Sequence, residues 1–185
     1  MTKLNKRKCV NCGEVFQKLK PLQNVCDHIC AIEHAQALRE KKEKREWQKE
    51  KAIRKEKLKT KSDYEKELQI IFNEYIRERD KGQPCISCGA PYGTYKGHAS
   101  HYYPSGSNKN ITFNELNVHL SCDHCNVFLH GNLIAYTERL PLRIGIESFE
   151  ELKRLKNVPM HYSIPELIEL KVIYKEKIRK LKQKL

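Results

Sequence analysis

Eight cysteines fall into four close pairs: Cys9/Cys12, Cys26/Cys30, Cys85/Cys88 and Cys122/Cys125. Thiols separated by two or three residues form metal knuckles, and two knuckles supply the four ligands of a tetrahedral zinc site. The pattern predicts two structural Zn2+ ions, one held by Cys9, Cys12, Cys26 and Cys30 and one by Cys85, Cys88, Cys122 and Cys125. In the first quartet His28 or His34 is an alternative to one of the thiolates. Four thiolates leave zinc no open position for substrate or water, so any reaction has to come from neighbouring side chains.

Those neighbours surround the second quartet. His98 and His101 lie between its two pairs, Asn117 stands five residues before Cys122, and Asn126 and His130 follow Cys125. Two knuckles joined by a hairpin predict a strand near 97–103 facing a helix that begins near Asp123. On that helix Asn126 and His130, four apart, would share a face. An imidazole, an amide oxygen and a second imidazole converging there can bind one divalent cation and leave a histidine as base. Phosphodiester hydrolysis needs those parts: a base of near-neutral pKa to activate water, and a cation to stabilise the charge that develops on the phosphate. His119, between Val118 and Leu120, reads as a structural residue of the hairpin, and His124 as an outward-pointing one. Tyr102 and Tyr103 could pack in the hairpin or stack on unpaired bases.

The elements that must position these groups divide the chain into a zinc module at 1–37, a basic helical linker at 38–61, a second zinc-bearing domain with a preceding helix at 62–145, and a helical region at 146–185. Gly13 permits the positive φ of a knuckle turn. The Lys/Arg/Glu-rich stretch from 38 to 61 has only sparse apolar residues, which predicts a long solvated helix or a partly disordered linker. Three capping boxes are expected, at Ser62/Glu65, Ser148/Glu151 and Ser163/Glu166. The first opens a helix with Tyr64, Leu68, Ile71, Phe72, Tyr75 and Ile76 on one face, ended by Gly82 and Pro84. The second opens a short helix carrying Phe149, Leu152 and Leu155. The third opens a basic helix over 165–184 with Leu167, Leu170, Tyr174, Ile178 and Leu181. The apolar faces at 64–79 and 165–184 suit a core or a dimer interface.

A chain of 185 residues with 39% hydrophobic and 32% charged residues has no room for one large core. Its net charge of +13 is uneven: residues 1–61 carry 18 Lys/Arg against 8 Asp/Glu, and residues 62–185 carry 18 against 15. Such an excess points to a polyanion, and nucleic acid is the polyanion that fits a chain with no membrane signature. The N-terminus lacks the apolar run of a signal peptide, no stretch is long enough to span a bilayer, and paired cysteines of this kind belong in a reducing cytoplasm.

The run Cys85-x2-Cys88, His98-Ala99-Ser100-His101, Asn117, Cys122-x2-Cys125-Asn126-x3-His130 resembles an HNH, or ββα-metal, endonuclease built on a treble clef. With the N-terminal cysteine module, the charged helical segment and Gly131-Asn132, nearly the whole chain is similar to the NinG/Rap recombination endonuclease family of lambdoid phages. That resemblance implies a small zinc-stabilised α+β fold with an HNH core, an N-terminal zinc finger and long flanking helices. It implies metal-dependent cutting of branched DNA, including Holliday junctions and D-loops, during phage recombination in the bacterial host cytoplasm. His101 matches the general base, Asn117 the residue that holds the base-bearing strand by backbone hydrogen bonds, Asn126 a ligand of catalytic Mg2+ or Mn2+, and His130 a metal or phosphate contact. The family's metal-binding Asp or His before the base is Ser100 here, which leaves His98 as a substitute ligand. DNA, a second copy of the chain and other recombination proteins are the expected partners. A non-catalytic zinc DNA-binding accessory protein and a sequence-specific HNH nuclease are the alternatives.

Overall fold

The computed structural model describes residues 6–183, so the ends of the N-terminal module and of the basic C-terminal segment lie outside the described residues. The chain forms two compact units, 1–58 and 59–185.

In the first unit, strands β1 (Lys6–Lys8) and β2 (Val15–Gln17) pair antiparallel around the first knuckle. Gly13 closes that knuckle at φ +79, donating to the Cys9 carbonyl at 3.0 Å. Asp27 then caps helix α1 (His28–Lys57), accepting the Cys30 N–H at 2.8 Å. Residues expected in two segments, a module ending near residue 37 and a linker after it, form this one helix. Within it Cys30 is the one buried residue, because no apolar stripe runs along the rest. Surface pairs such as Glu50–Arg54 give only modest local support.

The second unit is built around a hairpin of strands β3 (Gly97–His101) and β4 (Val118–Cys122), antiparallel with His101 opposite Val118 and Ser100 opposite His119. Helix α2 (Lys61–Arg79) and helix α5 (Ile164–Gln183) cover one face. Leu68, Phe72 and Ile76 from α2 meet Leu167, Tyr174 and Ile178 from α5 over Val118 and Ala99. The two apolar helix faces that suited a core or a dimer interface are thus used against each other. Helix α3 (Leu133–Ile144) and helix α4 (Ile146–Lys156) turn sharply at Gly145 and build a second core with Tyr102, Tyr136, Leu140, Phe149 and Leu152.

All five residues of β4 are buried, and groups from outside the hairpin satisfy its other edge. Arg79 donates to the Val118 carbonyl at 2.9 Å, Leu120 N–H donates to Asp80 at 2.9 Å, and Ile86 N–H donates to the Leu120 carbonyl at 2.9 Å. The Arg79–Asp80 ion pair therefore acts as an edge strand made of side chains, covering backbone groups that would otherwise be costly to bury.

Two of the expected helix starts are displaced. The capping box of α2 is Thr60/Asp63, with the Thr60 N–H and hydroxyl both donating to Asp63 at 2.9 and 2.8 Å, and Ser62 already lies inside the helix. Ser148 likewise sits inside α4, which starts at the Gly145 corner with Phe149 N–H donating to the Gly145 carbonyl at 3.1 Å. At α5 the box falls where the sequence puts it: Ser163 N–H and hydroxyl both donate to Glu166 at 2.7 Å.

His119 is 3% exposed, its Nδ1 3.3 Å from the Tyr136 hydroxyl, which itself donates to the Ser100 carbonyl at 3.0 Å. Burial, with help from the Arg79 charge, pushes its pKa down to about 3. The unfolded chain then binds a proton that the native state refuses, so stability is full above about pH 6.5 and falls as the pH drops toward 3, by about 1.4 kcal/mol per unit. Denaturant melts of wild type and His119→Gln between pH 7 and 5 check this. The variant is expected to lose less stability over that window, and equal slopes would contradict it.

Candidate active site

The eight cysteines converge as two quartets, each with its four sulfurs within 4.8 Å of one another. In the first, Cys12 and Cys26 are 3.7 Å apart and Cys26 and Cys30 3.4 Å; in the second, Cys88 and Cys122 are 3.8 Å apart. Four sulfurs at about 2.3 Å from one zinc lie roughly 3.8 Å from each other, so both donor sets fit the ion. His28 and His34 do not join the first quartet, which leaves it all-thiolate.

Backbone N–H groups favour ionisation of one sulfur in each quartet, Cys85 and Cys9, while the hydrogen bond with the Cys30 thiol raises the pKa of Cys26 and burial raises that of Cys122. Burial opposes the Cys85 thiolate, yet N–H groups of Cys122, Cys88 and Ser87 and the Ser121 hydroxyl outweigh it and bring the pKa to about 6. Cys9 is brought to about 6 in the same way, by the N–H groups of Cys12, Asn11 and Cys26 against the cost of burial. Gly89 turns the second knuckle at φ +75, and a Cβ there would sit 2.6 Å from the Arg139 guanidinium. Arg139 and Arg143 line a small cavity with Cys85, setting positive charge beside a zinc tetrathiolate that would carry two negative ones.

Beyond the second quartet the chain makes a wide π-helical turn, His124–Phe128, in which Leu129 N–H donates to the His124 carbonyl at 3.0 Å. It then reverses through three left-handed residues, His130 (φ 48), Gly131 (φ 96) and Asn132 (φ 48). This reversal brings the Asn132 amide to the Cys125 sulfur at 3.4 Å, and the Gly131 N–H to the Cys125 carbonyl at 2.8 Å. The expectation of one helix presenting Asn126 and His130 on a shared face is therefore corrected. Asn126 is half-buried in the wide turn, and His130 is exposed at the reversal beyond it. The regular helix begins only at Leu133.

His101 ends β3 on the face it shares with Ala99 and Val118, toward α2. His98 and Ser100 occupy the opposite face with Ser121 and His119, toward Tyr136 of α3. His98 does share the face of Ser100, but strand alternation turns both away from His101. Among the described residues no third group of three or more His, Cys, Asp or Glu side chains converges. Of the donors expected for a catalytic Mg2+ or Mn2+, His98 lies on the strand face opposite His101, Asn126 in the wide turn and His130 at the reversal, and none of them is a carboxylate of the kind a hard cation prefers.

The imidazole of His101 is better defined. Its Nε2 lies 3.0 Å from the Thr112 carbonyl, which can only accept, so Nε2 carries the proton and Nδ1 keeps its lone pair. Burial lowers its pKa below the ordinary 6.5 and outweighs the opposite pull of that carbonyl, so the ring is neutral at pH 7. Asn117, fully buried, locks the strand end. Its Nδ2 donates to the Tyr103 and Ile111 carbonyls at 3.0 and 3.1 Å, and its Oδ1 accepts the Tyr103 N–H at 2.8 Å. The backbone adds Tyr102 N–H to the Asn117 carbonyl at 2.8 Å. Tyr102 and Tyr103 stack edge-on in the second core, with Lys156 4.7 Å above the Tyr103 ring, which places them in packing. His124 is exposed.

Sequence reasoning missed Thr112, which fixes the His101 tautomer, and Tyr136, which joins His119 to Ser100. Both act through backbone carbonyls or long-range contacts that leave no local pattern.

The NinG family, described as "Bacteriophage Lambda NinG protein", matches residues 1–184. The chain is 35% identical to the ninG protein of Escherichia phage lambda over 198 residues, covering 98% of this chain and 96% of that one. It is 34% identical to the ninG protein of Escherichia phage 933W over 199 residues, with shares of 98% and 96%, and 33% identical to that of Salmonella phage P22 over 198 residues, with shares of 98% and 97%. No solved structure matches the chain.

Proposed function

The chain belongs to the NinG family, and from that membership and its hairpin chemistry we propose that it is an HNH-type endonuclease acting on branched DNA intermediates of phage recombination, with His101 as general base. The observation that carries the proposal is the His101–Thr112 hydrogen bond. It orients a neutral imidazole whose free Nδ1 can take a proton from water, the first requirement of phosphodiester hydrolysis. Asn117 would act as a positioning residue, holding the end of the base-bearing strand through Tyr102 and Tyr103. The cationic excess of the chain supports a DNA partner through phosphate contacts, which position a protein without reading sequence. Two symmetric cuts across a four-way junction would call for two copies of the chain.

A divalent cation, Mg2+ or Mn2+, would neutralise charge at the scissile phosphate. The separation of His98 from His101 and the reversal at His130 favour a second reading, a zinc-stabilised DNA-binding accessory protein without catalysis. A synthetic four-way junction and a linear duplex of equal length, incubated with zinc-loaded protein and Mg2+ or Mn2+ at matched salt, separate the possibilities. Preferential cutting of the junction is the expected result. Binding without cutting in either metal would replace the enzyme with the accessory protein, and preference for linear duplex would indicate a sequence-specific nuclease.

A further inference from the structure

Within the second unit, a cavity of about 400 Å³ opens beside the first two turns of α2. It falls in the roughly 300–1,000 Å³ range of small-ligand sites. Phe113 and Tyr162, their rings 5.5 Å apart, form an apolar side of it. Lys61, Lys66 and Lys109 stand at its rim. Lys66 and Lys109 are exposed and make no ion pair among the described residues, while Lys61 has only a loose 4.0 Å pairing with Glu65. Thr112, whose carbonyl holds the His101 imidazole, also lines the cavity, so the two sites share a wall.

A continuous duplex has no unpaired base to place in the cavity and so is not held against these lysines. A nucleotide freed from base pairing offers both a flat π-face for the aromatic wall and phosphates for the lysines. Ser62 and Gln69 also line the cavity, the Gln69 amide nitrogen donating to Asn73 at 2.6 Å. From this combination we propose that the α2 cavity holds an unpaired nucleotide of a DNA strand, with its base against Tyr162 and its flanking phosphates on Lys66 and Lys109. The inference rests on the DNA-binding part of the proposed function and not on cleavage. It gives the protein a physical basis for preferring DNA with unpaired nucleotides over continuous duplex.

The test measures binding by the full zinc-loaded chain without added divalent cation, so that no cutting occurs. Two DNAs are compared at one salt concentration: a fork with unpaired nucleotides at its branch, and a fully paired duplex of equal length. Lys66→Gln combined with Lys109→Gln, both at exposed positions, is expected to weaken fork binding about tenfold, the effect of losing two phosphate contacts, and duplex binding less than twofold. A 2-aminopurine at the unpaired position should lose emission when wild type binds, and the same base in a paired position should not. Equal weakening on fork and duplex, unchanged fork affinity, or unchanged emission would overturn the proposal. A protein that cuts junctions but fails here loses only the cavity's role. One that passes here but never cuts loses only the nuclease assignment.

Discussion

His101→Ala is expected to bind a four-way junction as tightly as wild type and to cut it about 10²–10⁴-fold more slowly, the range that a positioned general base contributes. The side chain reaches one carbonyl, that of Thr112, so its removal should leave the hairpin folded around Asn117. His101→Gln keeps a hydrogen-bond donor for Thr112 but supplies no basic nitrogen, and it should be as inactive as alanine. Wild-type cutting should fall in acid as the imidazole protonates. Because burial lowers that pKa, the loss is expected below pH 6.5, with no further gain from the neutral range upward due to this group. Single-turnover rates from pH 5 to 8 for the three proteins decide the matter. Undiminished cutting by both variants would remove His101 from the reaction.

Loss of the second zinc is expected to be more damaging still. A structural zinc contributes about 10–16 kcal/mol of apparent binding free energy, against about 5–15 kcal/mol for the whole stability of an ordinary domain. Cys125 is fully buried; its sulfur accepts from the Asn132 amide and its carbonyl from the Gly131 N–H, so a zinc bound by that sulfur would be tied to the wide turn. Cys125→Ala should therefore unfold the hairpin end of the second unit and abolish the cooperative melt of that unit. Native mass spectrometry is expected to count two zincs on wild type and one on this variant. Cys12→Ala should also leave one zinc, but with the melt of the second unit intact. A Cys125→Ala chain that kept two zincs and the wild-type melt would refute the assignment of the second quartet.

Features specified by local chemistry were legible in the sequence. Cysteine spacing located both quartets, and the apolar periodicity of α2 and α5 located their buried faces, because knuckles and amphipathic helices depend on residues a few positions apart. The α2 start shows the limit. Thr60/Asp63 and Ser62/Glu65 both satisfy the capping pattern, and nothing within the helix chooses between them. The choice coincides with a tertiary contact, since Lys59 just before the cap reaches Glu67 at 2.7 Å and Lys171 of α5 reaches the same carboxylate at 2.6 Å.

The candidate site was legible in the same uneven way. The family resemblance implied backbone hydrogen bonds from Asn117, and the buried amide makes them with both of its polar atoms. The relation of Asn126 to His130 was hidden, because spacing four apart implies a shared face only while the helix is regular. Here a sulfur-bound asparagine and a left-handed glycine override that regularity. Strand alternation alone puts His98 and His101, three apart, on opposite faces, and the register adds what each face meets, Ser121 and His119 on one side and Val118 on the other.

The thirty-residue helix α1 carries one buried side chain, Cys30, so nothing along most of its length couples its unwinding to the loss of a core. Its order is a matter of helix–coil equilibrium, in which the ends fray first and each residue melts nearly independently of a tertiary structure. Warming should make the circular-dichroism signal at 222 nm decline along a gradual slope well before the second unit melts. Calorimetry, which detects cooperative heat absorption, should register the second unit and pass over much of α1. The protein therefore has no single melting temperature: one part dissolves by degrees, and the other breaks at once.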